Sequence, residues 1–178
     1  MSAAALPPGA FAGSSRSKAV LLLALLGLGK FALRWERPEH VRWALAPAVS
    51  MVEFLVGRPF AWDPGHGYRN LPLGILVDHS CAGSGFFLMA VTVCLWHFPW
   101  TAPHGRWLRL AAMLGTVVAM AVVVTGLRLS ATLWLMEFHD VFHRHRAEVH
   151  TWVGVVFYFL SLIGVHLLAR RYLSPESP

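Results

Sequence analysis

A chain of 178 residues in which 56% are hydrophobic and 13% charged, with a mean hydropathy of +0.55, does not have the composition of a soluble domain; such domains carry charge on about a quarter of their residues. The formal net charge of +6 comes chiefly from arginine placed at the ends of apolar runs, not in a stripe along one of them, which argues against a nucleic-acid binder. Cys81 and Cys94 offer neither a disulfide framework nor a paired-cysteine zinc spacing.

In chain order, residues 1–18 read as a disordered cytoplasmic tail of small residues and prolines. Ala19 to Trp35 follows Arg16 and Lys18 as a signal peptide's apolar run would. Lys30, Phe31 and Arg34 stand where a small-residue cleavage site should be, so it is read as a retained first span, with Lys30 snorkelling to the interface. The run 41–56 holds Pro47, Ser50 and Glu53, and its flanking charges Arg42 and Arg58 leave about fifteen residues where a span needs about twenty. It predicts a short tilted span, a re-entrant segment or an interfacial helix. Gly57 to Pro72, punctuated by Pro59, Pro64, Gly65, Gly67 and Asn70, reads as a loop, and Leu73 to Val77 as an apolar stretch of strand length.

The next span, Ala82 to Phe98, closes in Trp96, Pro99 and Trp100. After Arg106 and Arg109, the run from Leu110 to Leu127 carries no charge, and its apolar character continues past Arg128 to Met136. Glu137 to Glu148 is polar and histidine-rich. Val149 to Ala169 makes the last span before Arg170 and Arg171, with 172–178 as a short tail. The expected fold is an all-α integral membrane helical bundle, a single domain over 19–171, of about four full spans plus the short helix at 41–56.

Arginine placement gives a topology. With the Arg106/Arg109 connection, the Arg170/Arg171 end and the Arg16/Lys18 start on the cytoplasmic side, residues 81, 128 and 150 fall together at the opposite face. That topology requires an even number of crossings between Trp35 and Cys81, most simply none. Arg144 and Arg146 on the outer loop run against it, offset in part by Glu137, Asp140 and Glu148.

Depth makes a constellation of Cys81, Arg128 and His150. Cys81 stands at the expected first turn of a helix, where the positive end of the helix dipole favours thiolate, the nucleophilic form. Sequential spans joined by short loops are usually neighbours, so thiol, guanidinium and imidazole can converge. Their chemistry divides naturally: thiolate as nucleophile, imidazole as proton carrier for the leaving amine, and guanidinium as a fixed cation for a developing oxyanion.

Cys81-Ala82-Gly83-Ser84-Gly85 before a span, Gly126-Leu127-Arg128 at the end of the next, and His150 with Gly154 and Phe157 opening the last resemble the three motifs of the exosortase/archaeosortase family, most nearly its compact exosortase K group. Thr125 stands where many members carry asparagine. The resemblance implies a membrane cysteine protease or transpeptidase that cuts a C-terminal sorting signal (a short motif, a transmembrane helix and basic residues) at the outer face of the bacterial cytoplasmic membrane. It assigns Cys81 as nucleophile, Arg128 to the transition state and His150 to proton transfer. The implied partners are the tails of exported proteins, the lipid bilayer, and an acceptor amine or water. No cofactor is implied.

Other readings compete residue by residue. Cys94, mid-span, is a small buried hydrophobe. Arg128 alone could be an interfacial anchor. His139 and His143, spaced i, i+4, could hold a metal, but without an accompanying Glu they more simply shape a polar mouth with His145. His166 could suggest a haem ligand, yet His97 stands at a membrane edge, and a solitary core histidine bonded to a neighbouring helix is the default. Asp78 and His79 either orient the site or are turn residues. A non-catalytic membrane scaffold and a histidine-ligated haem or metal redox protein are thus the alternatives to the peptidase.

Overall fold

The computed structural model describes residues 12–32, 38–72, 75–99, 104–138 and 145–173. Five helices make up most of it: α1 (Ala12–Ala32), α2 (Pro38–Val56), α3 (Ser84–His97), α4 (His104–Phe138) and α5 (Arg146–Leu173). Three segments are long and apolar enough to cross a membrane: His79–His97, Arg106–Met136 and Glu148–Leu173. Of the expected first span, Ala19 to Trp35, residues 19–32 lie in α1, which carries Lys18 and Lys30 and is not among them; residues 33–35 lie outside the described residues. Helix formation also begins at Ala12, inside the segment read as a tail, and α5 continues to a buried Leu173. Residues 1–11 and 174–178 of the two expected tails lie outside the described residues.

Helical periodicity explains the packing. Phe86, Ala90, Cys94 and Phe98 form an i, i+4 stripe on α3 that meets Leu110, Met113 and Val117 of α4 and Val165, Ala169 and Leu173 of α5 in one core. Cys94 is fully buried there. A second core joins Leu45, Val49 and Val52 of α2 to Leu129 and Leu133 of α4, with Phe60, Val77 and Cys81.

Side-chain contacts fix the helix directions. Lys18 Nζ donates to the Trp96 and Phe98 carbonyls at 2.6 and 2.7 Å, satisfying oxygens that the end of α3 leaves without helical partners. Gly29 lies against Leu88 and Gly85 against Lys30, so α1 runs antiparallel to α3. Phe98 packs on Trp107 at one end of α3 and α4, and Thr125 on Gly83 at the other. Helix α2 follows the half of α4 nearer Arg128: Trp43 and Ala44 share a cavity with Val118 and Val122, and Met51 meets Gly126. It starts beside the end of α1, whose Gly29 and Ala32 line that same cavity, and finishes beside Cys81.

The stretch read as a loop, Gly57 to Pro72, departs from the expected all-α fold with two strands, and the apolar stretch of strand length, Leu73 to Val77, carries a third over Ile75–Val77. Strands β1 (Ala61–Asp63), β2 (Gly67–Asn70) and β3 (Ile75–Val77) form an antiparallel sheet in that order, with Ala61 opposite Arg69 and Tyr68 opposite Val77. These strands are too short to show the alternation that marks a strand in a sequence. Pairing and local contacts hold them. Arg69 Nη1 donates to Asp63 Oδ2 at 2.8 Å, keeping that carboxyl below the ordinary carboxylate range. Glu53 Oε1 accepts from the Phe60 amide at 2.7 Å, and Asn70 Nδ2 donates to the Pro59 carbonyl at 2.9 Å, which ties the sheet to the end of α2. Strand β3 then delivers the chain to Asp78.

Candidate active site

Cys81 is not in the first turn of a helix, as expected, but ends a short 3-10 turn, His79–Cys81. Helix α3 begins at Ser84 because Gly83 adopts the left-handed conformation, φ 69° and ψ 14°, and interrupts the helix. Asp78 builds the turn: its Oδ1 accepts from the Ser80 amide at 2.9 Å and from Ser80 Oγ at 2.6 Å, while its carbonyl accepts from the Cys81 amide at 3.0 Å. Of the two readings of Asp78, these bonds match the turn residue, one whose turn carries Cys81. Ser80 Oγ lies 4.0 Å from Cys81 Sγ. The thiol is thus held by a capped turn instead of a helix dipole.

The other two members of the constellation come from α4 and α5. Cys81 Sγ is 3.9 Å from His150 Nε2, and that nitrogen is 2.6 Å from Arg128 Nη2. A guanidinium has donors only, so in this arrangement Nε2 accepts and the imidazole proton resides on Nδ1. Arg128 Nη1 donates to Tyr158 Oη at 2.7 Å, and the guanidinium carbon lies 5.1 Å above the tyrosine ring. That ring stacks on Phe86 of α3, with centroids 5.3 Å apart. Arg128 is 5% exposed, and its Nε has no hydrogen-bond partner among the described residues. The structure therefore gathers Cys81, Arg128 and His150 within contact distances at one end of the bundle. Lys18, Arg106, Arg109 and Arg170 belong to the other end.

The sequence reading missed Tyr158. His150, Gly154 and Tyr158 recur at i, i+4 and i+8 on one face of α5, and the arginine lies across that face. A Cβ on Gly154 would stand 3.6 to 3.7 Å from Arg128 Cδ, Nε and Cζ, ordinary contact. A Cβ on Gly83 would stand 2.6 Å from Thr125 Oγ1 and 3.3 Å from Tyr158 Oη, on a backbone that L side chains rarely adopt. Gly83→Ala should therefore destabilise the protein by at least about 1–2 kcal/mol, the usual cost of a left-handed non-glycine residue. Gly154→Ala should melt no lower than the wild type. Thermal unfolding of both variants in one detergent checks the contrast, and equal melting temperatures would contradict it.

Two cavities flank the Asp78–Cys81 turn, and Ser80 lines both. One, of about 390 Å³, lies toward the sheet and includes Cys81 and His150 in its wall. The other, of about 880 Å³, lies between α1, α3 and α5, with Lys30, His79, Gly83, Gly85 and Tyr158 around it and Gly27, Met89 and Leu162 further along the helices.

His139 and His143 lie outside the described residues, while exposed His145 sits 3.6 Å from Glu148 on the first turn of α5. Among the described residues no group of three or more His, Cys, Asp or Glu is placed to hold a metal ion. His166 is not a solitary core histidine: it is exposed, and its Nδ1 lies 3.3 Å from His97 Nε2. The rings touch edge to face with centroids 4.9 Å apart, which leaves no gap for a porphyrin between them. Compared with protein-family models, with curated proteins and with solved structures, the chain gives no match.

Proposed function

We propose that this protein is a membrane-embedded cysteine peptidase or transpeptidase of the exosortase type, acting on the C-terminal sorting tails of exported proteins. The observation that carries the reading is the chain of contacts from Cys81 Sγ to His150 Nε2 at 3.9 Å and on to Arg128 Nη2 at 2.6 Å. A nucleophile, a proton carrier and a fixed cation meet there around one small volume. In the proposed reaction the thiol proton passes to His150 Nε2 as Sγ attacks the scissile carbonyl. Arg128 donates to the resulting oxyanion, and His150 then protonates the departing amine as the C–N bond breaks. The thioester passes to water or an amine, whose proton His150 accepts. At rest the Nε2 lone pair is taken by Arg128, so the arginine must swing off it before the thiol proton can arrive. A developing oxyanion is a charged and stronger acceptor for that guanidinium, which couples nucleophile activation to a bound substrate.

Membrane placement belongs to the same proposal. Basic residues at the end opposite Cys81 put that end in the cytoplasm and the site at the outer face of the cytoplasmic membrane. Helix α1 serves as a fourth crossing, and α2, confined to the half of α4 nearer the site, as a re-entrant helix. The larger cavity between α1 and α5 gives a client's transmembrane helix a lateral approach to the thiol.

In cells that make this protein, Cys81→Ala should leave tails of motif, transmembrane helix and basic residues attached to exported proteins, with complete loss of processing. Mass spectrometry of envelope-protein C-termini measures this, and an unchanged set of C-termini in the variant would sink the reading.

A further inference from the structure

We propose that the cavity on the sheet side of Cys81 is a specificity pocket for an apolar side chain that the client carries on the acyl side of its scissile bond. The assignment rests on the peptidase reading and adds the class of residue it selects. Cys81 and His150 form part of the wall, so anything seated there lies within reach of the attacking sulfur. Apolar side chains supply most of the rest, among them Val49 and Val52 of α2, Ile75 of β3, and Leu129 and Leu133 of α4. A volume of about 390 Å³ accommodates a leucine- or phenylalanine-sized side chain together with the reacting carbonyl.

Charge narrows the occupant. Among the described residues no lysine or arginine lines this cavity: Lys30 lines the other one, and Arg128 is directed to His150 and Tyr158. An acidic side chain would find no cation among them and would meet the Asp78 carboxylate. A cationic one would meet that single carboxylate, whose Oδ1 already accepts two bonds from Ser80, in a wall that is otherwise mostly apolar. Burying either charge against these walls is unfavourable, and burying an apolar group is not. Direction follows from shape. The leaving side of the client continues into a transmembrane helix, and of the two cavities beside the turn the one between α1 and α5 extends along the helices, from Ser80 to Gly27, Met89 and Leu162. The acyl side therefore falls to the cavity closed by β3 and Phe60.

Thiol labelling tests the pocket without needing a client. In the full chain with Cys94→Ala, purified in detergent, Cys81 reacts with methanethiosulfonates: its sulfur attacks the sulfenyl sulfur and methanesulfinate departs. The benzyl reagent should react at least about tenfold faster than the sulfonatoethyl or trimethylammonioethyl reagents, each rate taken relative to free cysteine. Filling the pocket from either of two walls, Leu133→Phe or Ile75→Trp, should cut that preference to about threefold or less, and Ile75→Lys should favour the anionic reagent. These comparisons use the same micelles, so partition of the benzyl reagent into detergent cancels. Equal rates for the three reagents, a faster charged reagent on the unfilled pocket, or a benzyl preference untouched by both filling variants would overturn the assignment. Labelling needs only the thiol and its pocket, so an inactive peptidase with a benzyl preference would sink the functional reading alone. Client cleavage without that preference would sink the pocket alone.

Discussion

Arg128→Lys should lower the rate of acyl-enzyme formation by about 10²- to 10³-fold, the range found when one oxyanion donor is removed, in a protein that still folds. The charge is not the variable, because lysine keeps it. What changes is geometry: one planar fork reaches His150 Nε2 at 2.6 Å and Tyr158 Oη at 2.7 Å from different nitrogens, and its face lies over the tyrosine ring. An ammonium on a flexible stem is a point, and cannot keep the Tyr158 contact while a second nitrogen moves from His150 to the carbonyl oxygen. Tyr158→Phe keeps the ring stacked on Phe86 and removes only the hydroxyl, so it should cost less, about tenfold. Single-turnover cleavage of a tail peptide, with melting temperature as the folding control, separates the outcomes. Near-normal acylation by Arg128→Lys would leave Arg128 as an anchor and remove it from the chemistry.

Much of this arrangement was legible in the sequence because hydropathy and charge work over long windows. Stretches such as Leu110 to Leu127 announce a helix that can cross a bilayer, and arginines at their ends order the helices by direction. Those two signals suffice to bring residues 81, 128 and 150 to one end, where the structure puts them in contact. The continuation of α4 past Arg128 was legible for the same reason.

The parts that escaped depend on short-range or cross-chain geometry. A three-residue strand such as Ala61–Asp63 has no period to read, and its pairing partner is set by register. The helix start was misplaced because Ala82-Gly83-Ser84 is apolar or small enough to continue a helix, and only the left-handed Gly83 shows that it does not. This matters chemically: Cys81 is positioned by the Asp78 cap and the 3-10 turn, so the helix N-terminus is not what activates it. Tyr158 carried a usable signal, its i, i+8 spacing from His150, but one that gains meaning only once Arg128 is known to cross that face. The His97–His166 contact likewise needed α3 and α5 packed side by side with these faces together, which a reading of direction and depth does not supply.

His150→Asn provides the sharper division of roles. An asparagine amide reaches only to about where Nδ1 stood, so the 2.6 Å contact and proton transfer are lost while the bond to Tyr158 Oη still holds the guanidinium. Cys81 should remain alkylatable by a small neutral reagent, and cleavage of an ordinary peptide bond should fall by about 10²- to 10⁴-fold, the usual contribution of a positioned acid–base group. The two variants then part company on the leaving group. An amine of low basicity, such as an anilide, departs with less help from an acid, so the His150→Asn deficit should shrink on an anilide substrate. The Arg128→Lys deficit should not shrink, because the oxyanion forms whichever amine leaves. If both deficits shrink together, Arg128 acts only by holding His150 through the 2.6 Å contact, and the stabilising donor for the oxyanion must be sought elsewhere on the Asp78–Cys81 turn. If neither shrinks, proton delivery belongs to another group, and His79, which lines the adjoining cavity, is the residue to change next.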